Sequence, residues 1–155
     1  MKGMQDKLNR ILEIVLVTLL GIMVINVSWQ VFSRYVLANP SSFTDELARY
    51  LMIWLGVMGT AYVSGKQLHV AIDILPSQLN SSRQKAMQRV IFSIIILATV
   101  LIFIVGGSRL VYLSYVLGQK SAALQIPLYL VYMCVPLSGA CIVFYKLCDL
   151  TLNKS

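Results

Sequence analysis

Hydrophobic positions fall into four long runs separated by short polar segments. Ile14 to Ser33 is a stretch of 20 residues without a charge, enough for a helix of about 30 Å, the thickness of a bilayer's hydrocarbon core. The second run, 47–65, has Arg49 as its one charge and follows Pro40-Ser41-Ser42. Ser42 with Asp45 three residues later resembles a capping box with a shortened acid. The third run, 90–110, has the charge-free core Val90 to Ser108, with Ser81-Ser82 as caps and Arg83, Lys85 and Arg89 as a basic turn before it. The fourth, 124–145, lies in the uncharged stretch Ser121 to Tyr145, with Pro127 placed to open a helix and Pro136 to kink it about halfway. The pattern therefore predicts an all-α integral membrane protein, one domain over 1–155 with four transmembrane helices. Its long middle loop, 66–89, carries Val70, Ile72, Ile74, Leu75 and Leu79 among polar residues. Such a stretch can lie flat in the interface as an amphipathic segment against membrane lipid. His69 and Asp73 stand at i and i+4 if that segment is helical, as a solvated or headgroup-facing pair.

Composition narrows this further. With 155 residues, 58% hydrophobic and 12% charged, the chain falls far below the roughly 25% charged residues of soluble domains. About four spans use up its length, leaving no room for a catalytic lobe. The net charge of +7 comes from 13 Lys and Arg scattered between apolar runs, which suits orienting loop charges better than a nucleic-acid patch. Nine of them (Lys2, Lys7, Arg10, Lys66, Arg83, Lys85, Arg89, Lys146, Lys154) fall on one side and four (Arg34, Arg49, Arg109, Lys120) on the other. The positive-inside rule then places both termini and the middle loop in the cytoplasm. Trp29, Phe32, Tyr35, Tyr112, Tyr115, Tyr129 and Tyr132 group near the outer boundary as an aromatic belt. The first segment is read as retained, because it is long for a signal peptide, carries Asp6 and Glu13, and has no small-x-small cleavage site.

Little in the residues suggests chemistry. Cys134, Cys141 and Cys148 recur at seven-residue steps, about 10.5 Å apart along a helix, too far to share a metal. They read as small lipophilic residues on a packed stripe. The one histidine falls in the middle loop, whereas a haem anchor needs axial ligands within its spans. Phosphate loops, zinc spacings and activated nucleophiles are missing, so no enzyme activity, cofactor or metal is predicted. Glu13 and Arg109 sit at span edges rather than mid-membrane, where coupling charges of a transporter would lie. Asp45, Glu46 and Arg49 occupy the first turns of span two, where the acids favour the helix dipole and Arg49 stands at i+4 and i+3 from them. That reads first as an internal ion pair and second as a partner-binding surface. Gly56, Thr60 and Ser64 at i, i+4 and i+8 form a flat stripe that lets another backbone approach, inside the unit or on a second protein.

Two motifs resemble a known family. Arg34-Tyr35, Phe43-Thr44-Asp45-Glu46-Leu47-Ala48-Arg49, Trp54, Gly59 and His69-Val70-Ala71-Ile72-Asp73 resemble the DctQ-like small membrane subunit of tripartite ATP-independent periplasmic (TRAP) transporters. Ser121, Leu124, Ile126-Pro127, Tyr129, Tyr132, Val135-Pro136 and Gly139 are similar to that family's last-span signature. Phe43 and Tyr129 depart from it, standing where tryptophan is expected and keeping the ring. The resemblance covers about Arg34 to Gly139. It implies a subunit of the bacterial inner membrane, a fixed scaffold beside a large permease that moves an organic anion with sodium, delivered by a periplasmic binding protein. It leans toward the sialic-acid branch. Arg34, Asp45, Glu46, Arg49 and Arg109, with the Gly56, Thr60, Ser64 stripe, are then the predicted partner interface. Two other classes compete: a four-helix drug/proton antiporter using Glu13, for which Glu13 is too near the edge and the middle loop too long, and a respiratory membrane anchor, disfavoured by the lone histidine.

Overall fold

The computed structural model describes residues 2–38, 41–66 and 81–152. Within them the chain is helical: α1 (Lys2–Tyr35), α2 (Ser42–Gly65), α3 (Ser81–Thr99), a π-helical stretch Val100–Gly106, α4 (Gly107–Val116), α5 (Leu128–Tyr132) and α6 (Cys134–Leu152). Among the described residues three stretches are long and apolar enough to cross a membrane: Gly3–Tyr35, Val90–Val116 and Leu128–Cys148. The second predicted span, α2, has the length but not the apolarity, since Arg49, Gly56, Gly59, Thr60 and Ser64 dilute it.

Helix ends differ from the predicted span ends for one reason: charge marks where lipid stops, whereas hydrogen bonding decides where a helix stops. Thus α3 begins at Ser81, inside the predicted loop 66–89, and its rod runs to Val116, six residues beyond the predicted 110. The last segment is non-helical until Pro127, whose extended backbone precedes Leu128. It breaks at Met133, because Pro136 has no N–H for the Tyr132 carbonyl, and it then continues to Leu152. Lys146, predicted as a tail charge, is consequently inside α6 and 3% exposed, its Nζ 5.3 Å from the Phe92 ring centre. The cap of α2 is Ser41 rather than Ser42, and its side chain makes no capping bond. The Thr44 hydroxyl bonds back to the Ser41 carbonyl instead. His69 and Asp73 lie outside the described residues, as does the apolar part of the middle loop.

The helices lie side by side in the order α1, α2, α6, then the α3–π–α4 rod. Leu12, Met58, Ala61, Cys134, Ile142 and Tyr145 form the buried core where α1, α2 and α6 meet. The outward surface is the reverse of a soluble protein's, with Val17 65%, Ile25 72% and Ile102 66% exposed. Between helices the contacts are polar or very close, as packing in lipid requires. Asn26 Nδ2 donates to the Thr44 carbonyl at 2.8 Å, joining α1 to α2. The buried Ser138 hydroxyl donates to the Val57 carbonyl at 2.7 Å, joining α6 to α2. On the other side of α6, a Cβ on Gly139 would stand 2.6 Å from Phe103 Cβ, and one on Gly107 2.9 Å from Val135 Cγ1. The wide π turn therefore sits where the third rod comes closest to the backbone of α6.

Candidate functional site

The close of α1, the start of α2 and the connection 117–127 lie at the same end of the layer, and the chemistry concentrates there. Gly118, at φ +59°, closes α4 in the left-handed conformation that glycine adopts without penalty. Gln119 N–H bonds back to the Ser114 carbonyl and Gly118 N–H to the Tyr115 carbonyl, both at 3.1 Å, a Schellman arrangement. The Ser114 hydroxyl fastens the Gln119 side chain at 2.8 Å. A short antiparallel bridge, Lys120 against Pro127, then pinches the loop, with Ser121 N–H on the Ile126 carbonyl at 2.9 Å. Gln125, at φ +55°, turns the chain back, and its side-chain amide holds the Ala122 carbonyl at 3.0 Å.

The pinch leaves three successive backbone N–H groups facing one way, an anion-binding nest. Glu46 fills it. Its carboxylate accepts from Ala122 N–H at 3.1 Å, Ala123 N–H at 2.7 Å and Leu124 N–H at 3.0 Å, and from the Tyr50 hydroxyl at 3.0 Å. The Ser121 hydroxyl first, then the loop amides, stabilise the carboxylate and bring its pKa down to about 2, against an ordinary 4.5. The neighbouring Asp45 takes the Gln30 side-chain amide at 3.0 Å and Arg49 at 2.7 Å. Gln30 first, and then Arg49, hold its carboxyl below the usual range.

The predicted pair of acids sharing Arg49 therefore divides. Arg49 pairs with Asp45, while Glu46, one residue on and so about 100° around the helix, reaches the loop. Gln30 and the loop amides were not among the predicted site residues. Gln30 had no signal of its own, and backbone amides have none. Arg34 and Arg109 are exposed and lie at this same end, Arg109 two turns before the close of α4. The predicted small-residue stripe is split: Ser64 is 2% exposed, whereas Gly56 and Thr60 face outward and a Cβ on Gly56 would meet nothing within 4 Å. The close approaches inside the unit fall on Gly65, Gly107 and Gly139 instead. Glu13 is exposed on α1 at the opposite end, in the wall of an open cleft.

Residues 23–152 match the family model described as tripartite ATP-independent periplasmic transporters, DctQ component. A small permease protein of a TRAP transporter from Haemophilus influenzae is 33% identical over 79 residues, 51% of this chain and 49% of that protein. The sialic acid TRAP transporter small permease protein SiaQ of Vibrio cholerae is 27% identical over 126 residues, 81% of this chain and 68% of that one. The C4-dicarboxylate TRAP transporter small permease protein DctQ of Rhodobacter capsulatus is 26% identical over 102 residues, 66% and 44%. The match thus spans about half the length of the Haemophilus and Rhodobacter proteins. The family match takes in both ends of the Glu46 contact, the start of α2 and the 121–126 loop. The chain belongs to the DctQ family: it is a membrane-embedded small permease subunit of the TRAP type, a transport component and not an enzyme.

Proposed function

We propose that the chain is the fixed scaffold of its transporter, seated beside a large permease subunit in the bacterial inner membrane with both termini cytoplasmic. In this reading α2 is the fourth crossing. Its polar residues are tolerated because it lies between α1 and α6, which shelter Thr44 and Ser64. The 117–127 end faces the periplasm. The large subunit moves an organic anion with sodium, and the binding protein that delivers it docks at the periplasmic end. The Vibrio relative's name supports a sialic acid over a simple dicarboxylate, since that alignment covers more of the chain than the Rhodobacter one.

The observation that carries the scaffold reading is the seating of Glu46. Both acids at this end are committed to intramolecular bonds, which is the arrangement of a brace rather than of a solute site. Arg49 presents an outward charge, its side chain 74% exposed, and Arg34 and Arg109 add to it. Together they form the surface proposed for the binding protein. Gly56 and Thr60, facing outward on α2, are the proposed contact for the permease, where small residues let backbones meet. Gly56→Leu with Thr60→Leu tests this: the variant chain should fold but no longer copurify with the permease encoded beside it. Normal copurification and uptake would rule that face out as the interface.

A further inference from the structure

At the end of the layer away from Glu46, an open cleft of about 890 Å³ runs along the first five turns of α1 to the close of α2. That volume is in the range of small-molecule pockets. Its rim carries two acids and two bases, Asp6, Arg10, Glu13 and Lys66. Asp6 and Arg10 stand at i and i+4, and Arg10 and Glu13 at i and i+3, spacings at which helical ion pairs form. Among the described residues neither pair closes, and the ion pair that does form is Arg49 with Asp45. Lys66 leans over the Tyr62 ring at 5.4 Å. Toward the middle of the layer the same cleft becomes apolar, walled by Ile14 and Val17, which are 60% and 65% exposed. Behind its wall lie buried polar atoms. Asn9 and Gly65 are in the wall, the Asn9 amide and the buried Tyr145 ring converge on Gly65, and Asn9 Oδ1, Tyr145 Oη and the adjacent Ser64 Oγ have no hydrogen-bond partner.

We propose that this cleft binds one zwitterionic glycerophospholipid whose headgroup joins a phosphate to a primary ammonium. Arg10 and Lys66 take the phosphate, Asp6 and Glu13 take the ammonium, and an acyl chain lies along Ile14 and Val17. The charge count selects the headgroup: an anionic lipid would satisfy the two bases but face the two acids unpaired. The order of the walls selects a lipid over a soluble zwitterion, because the charged rim sits at the end of a membrane helix and the apolar wall continues toward the bilayer centre. The inference needs α1 to be embedded in the membrane, with the cleft facing lipid and not the permease, and does not depend on whether Gly56 and Thr60 are the permease contact.

The test is native mass spectrometry of the purified full chain, stripped in detergent and titrated separately with dioleoyl phosphatidylethanolamine, phosphatidylglycerol and glycerophosphoethanolamine. One phosphatidylethanolamine should bind per chain, and Arg10→Ala with Lys66→Ala should weaken it by about tenfold or more, as expected on losing charge-assisted contacts. Asp6→Asn with Glu13→Gln should keep lipid binding but reverse the preference toward phosphatidylglycerol. Arg109→Ala, at the other end, should bind as wild type does. Melting curves matching wild type establish that the variants fold. Equal binding of both lipids by wild type, an Arg10/Lys66 variant that binds normally, or glycerophosphoethanolamine binding as tightly as the lipid would each overturn the proposal. So would displacement of the lipid when the permease is added, which would make the cleft a protein interface. Loss of uptake with normal lipid binding, by contrast, concerns the scaffold reading alone.

Discussion

Glu46 and Ala123 are 77 positions apart, and the Glu46 carboxylate accepts the Ala123 N–H at 2.7 Å. That contact joins the two stretches by which the chain resembles its family, the start of α2 and the loop before the last helix. A carboxylate in a nest of three amides fixes the loop as well as the helix. It also leaves Asp45 free to bind α1 through Gln30 and to hold Arg49 at the surface.

Glu46→Ala should release the loop. Hydrogen exchange at the amides of Ala122, Ala123 and Leu124 should rise by about tenfold or more, while core amides around Met58 and Ile142 change little. Glu46→Asp should fall between the two, because the shorter side chain keeps the charge but loses the reach. Unchanged exchange in Glu46→Ala would mean that the loop holds itself.

The same contact sets a pH dependence. A carboxyl held at about 2 instead of 4.5 stabilises the folded end fully above about pH 4.5, and that contribution is lost as pH falls toward 2. Asp45 shifts in the same direction. Amide chemical shifts of residues 122–124 in micelles should therefore titrate below pH 4.5 in the wild type. In Glu46→Gln they should stay flat.

Close packing on α6 gives a contrast between glycines. Gly139→Ala places a Cβ against Phe103, an overpacking that should cost about 1–3 kcal/mol. Gly59→Ala meets nothing within 4 Å and should be neutral or slightly stabilising, since alanine favours a helix over glycine. Thermal unfolding of both in detergent checks this, and equal melting points would contradict the described contact between α6 and the π turn.

Asn26→Leu removes the bond to the Thr44 carbonyl that ties α1 to α2. Interhelical hydrogen bonds in membranes are modest, so the loss should be about 1 kcal/mol. Denaturation in mixed micelles reads it directly. A change of several kcal/mol would mean that this bond carries more of the α1–α2 contact than its geometry suggests.

The orientation predicts that alkaline phosphatase fused between Gly118 and Ala123 is active and that a fusion after Lys154 is inactive. The reverse pattern would invert the proposed topology and remove the loop from the binding protein's side.

What the sequence makes legible is what is local. Charge-free runs located α1, the third rod and the last helix, because hydropathy is a property of a window. Ser81-Ser82 read as caps from their residue type, and α3 does begin at Ser81, with Arg83, Lys85 and Arg89 in its first turns. The charge that misled is Lys146, which reads as part of the tail and is buried in α6, since a helix continues wherever its backbone bonds do. The Glu46 seat was not legible, because its donors are backbone amides whose direction depends on Gly118 and Gln125 taking positive φ. Gly139 belonged to the resemblance but acquires a reason only from Phe103, 36 positions earlier on a rod whose π turn has no local signature. The Gly56, Thr60, Ser64 spacing was correct as a helix periodicity, but one helical face there bends from exposed to buried along its length.

The scaffold account is tested most directly by sodium-driven uptake into proteoliposomes holding the large permease with its binding protein, with this chain present, absent or substituted by Glu46→Ala. The account predicts uptake with the complete set, none from this chain without the permease, and little from the permease without this chain. Glu46→Ala should lower uptake while leaving the chain in the membrane. Full uptake by a stable permease in the absence of this chain would contradict it.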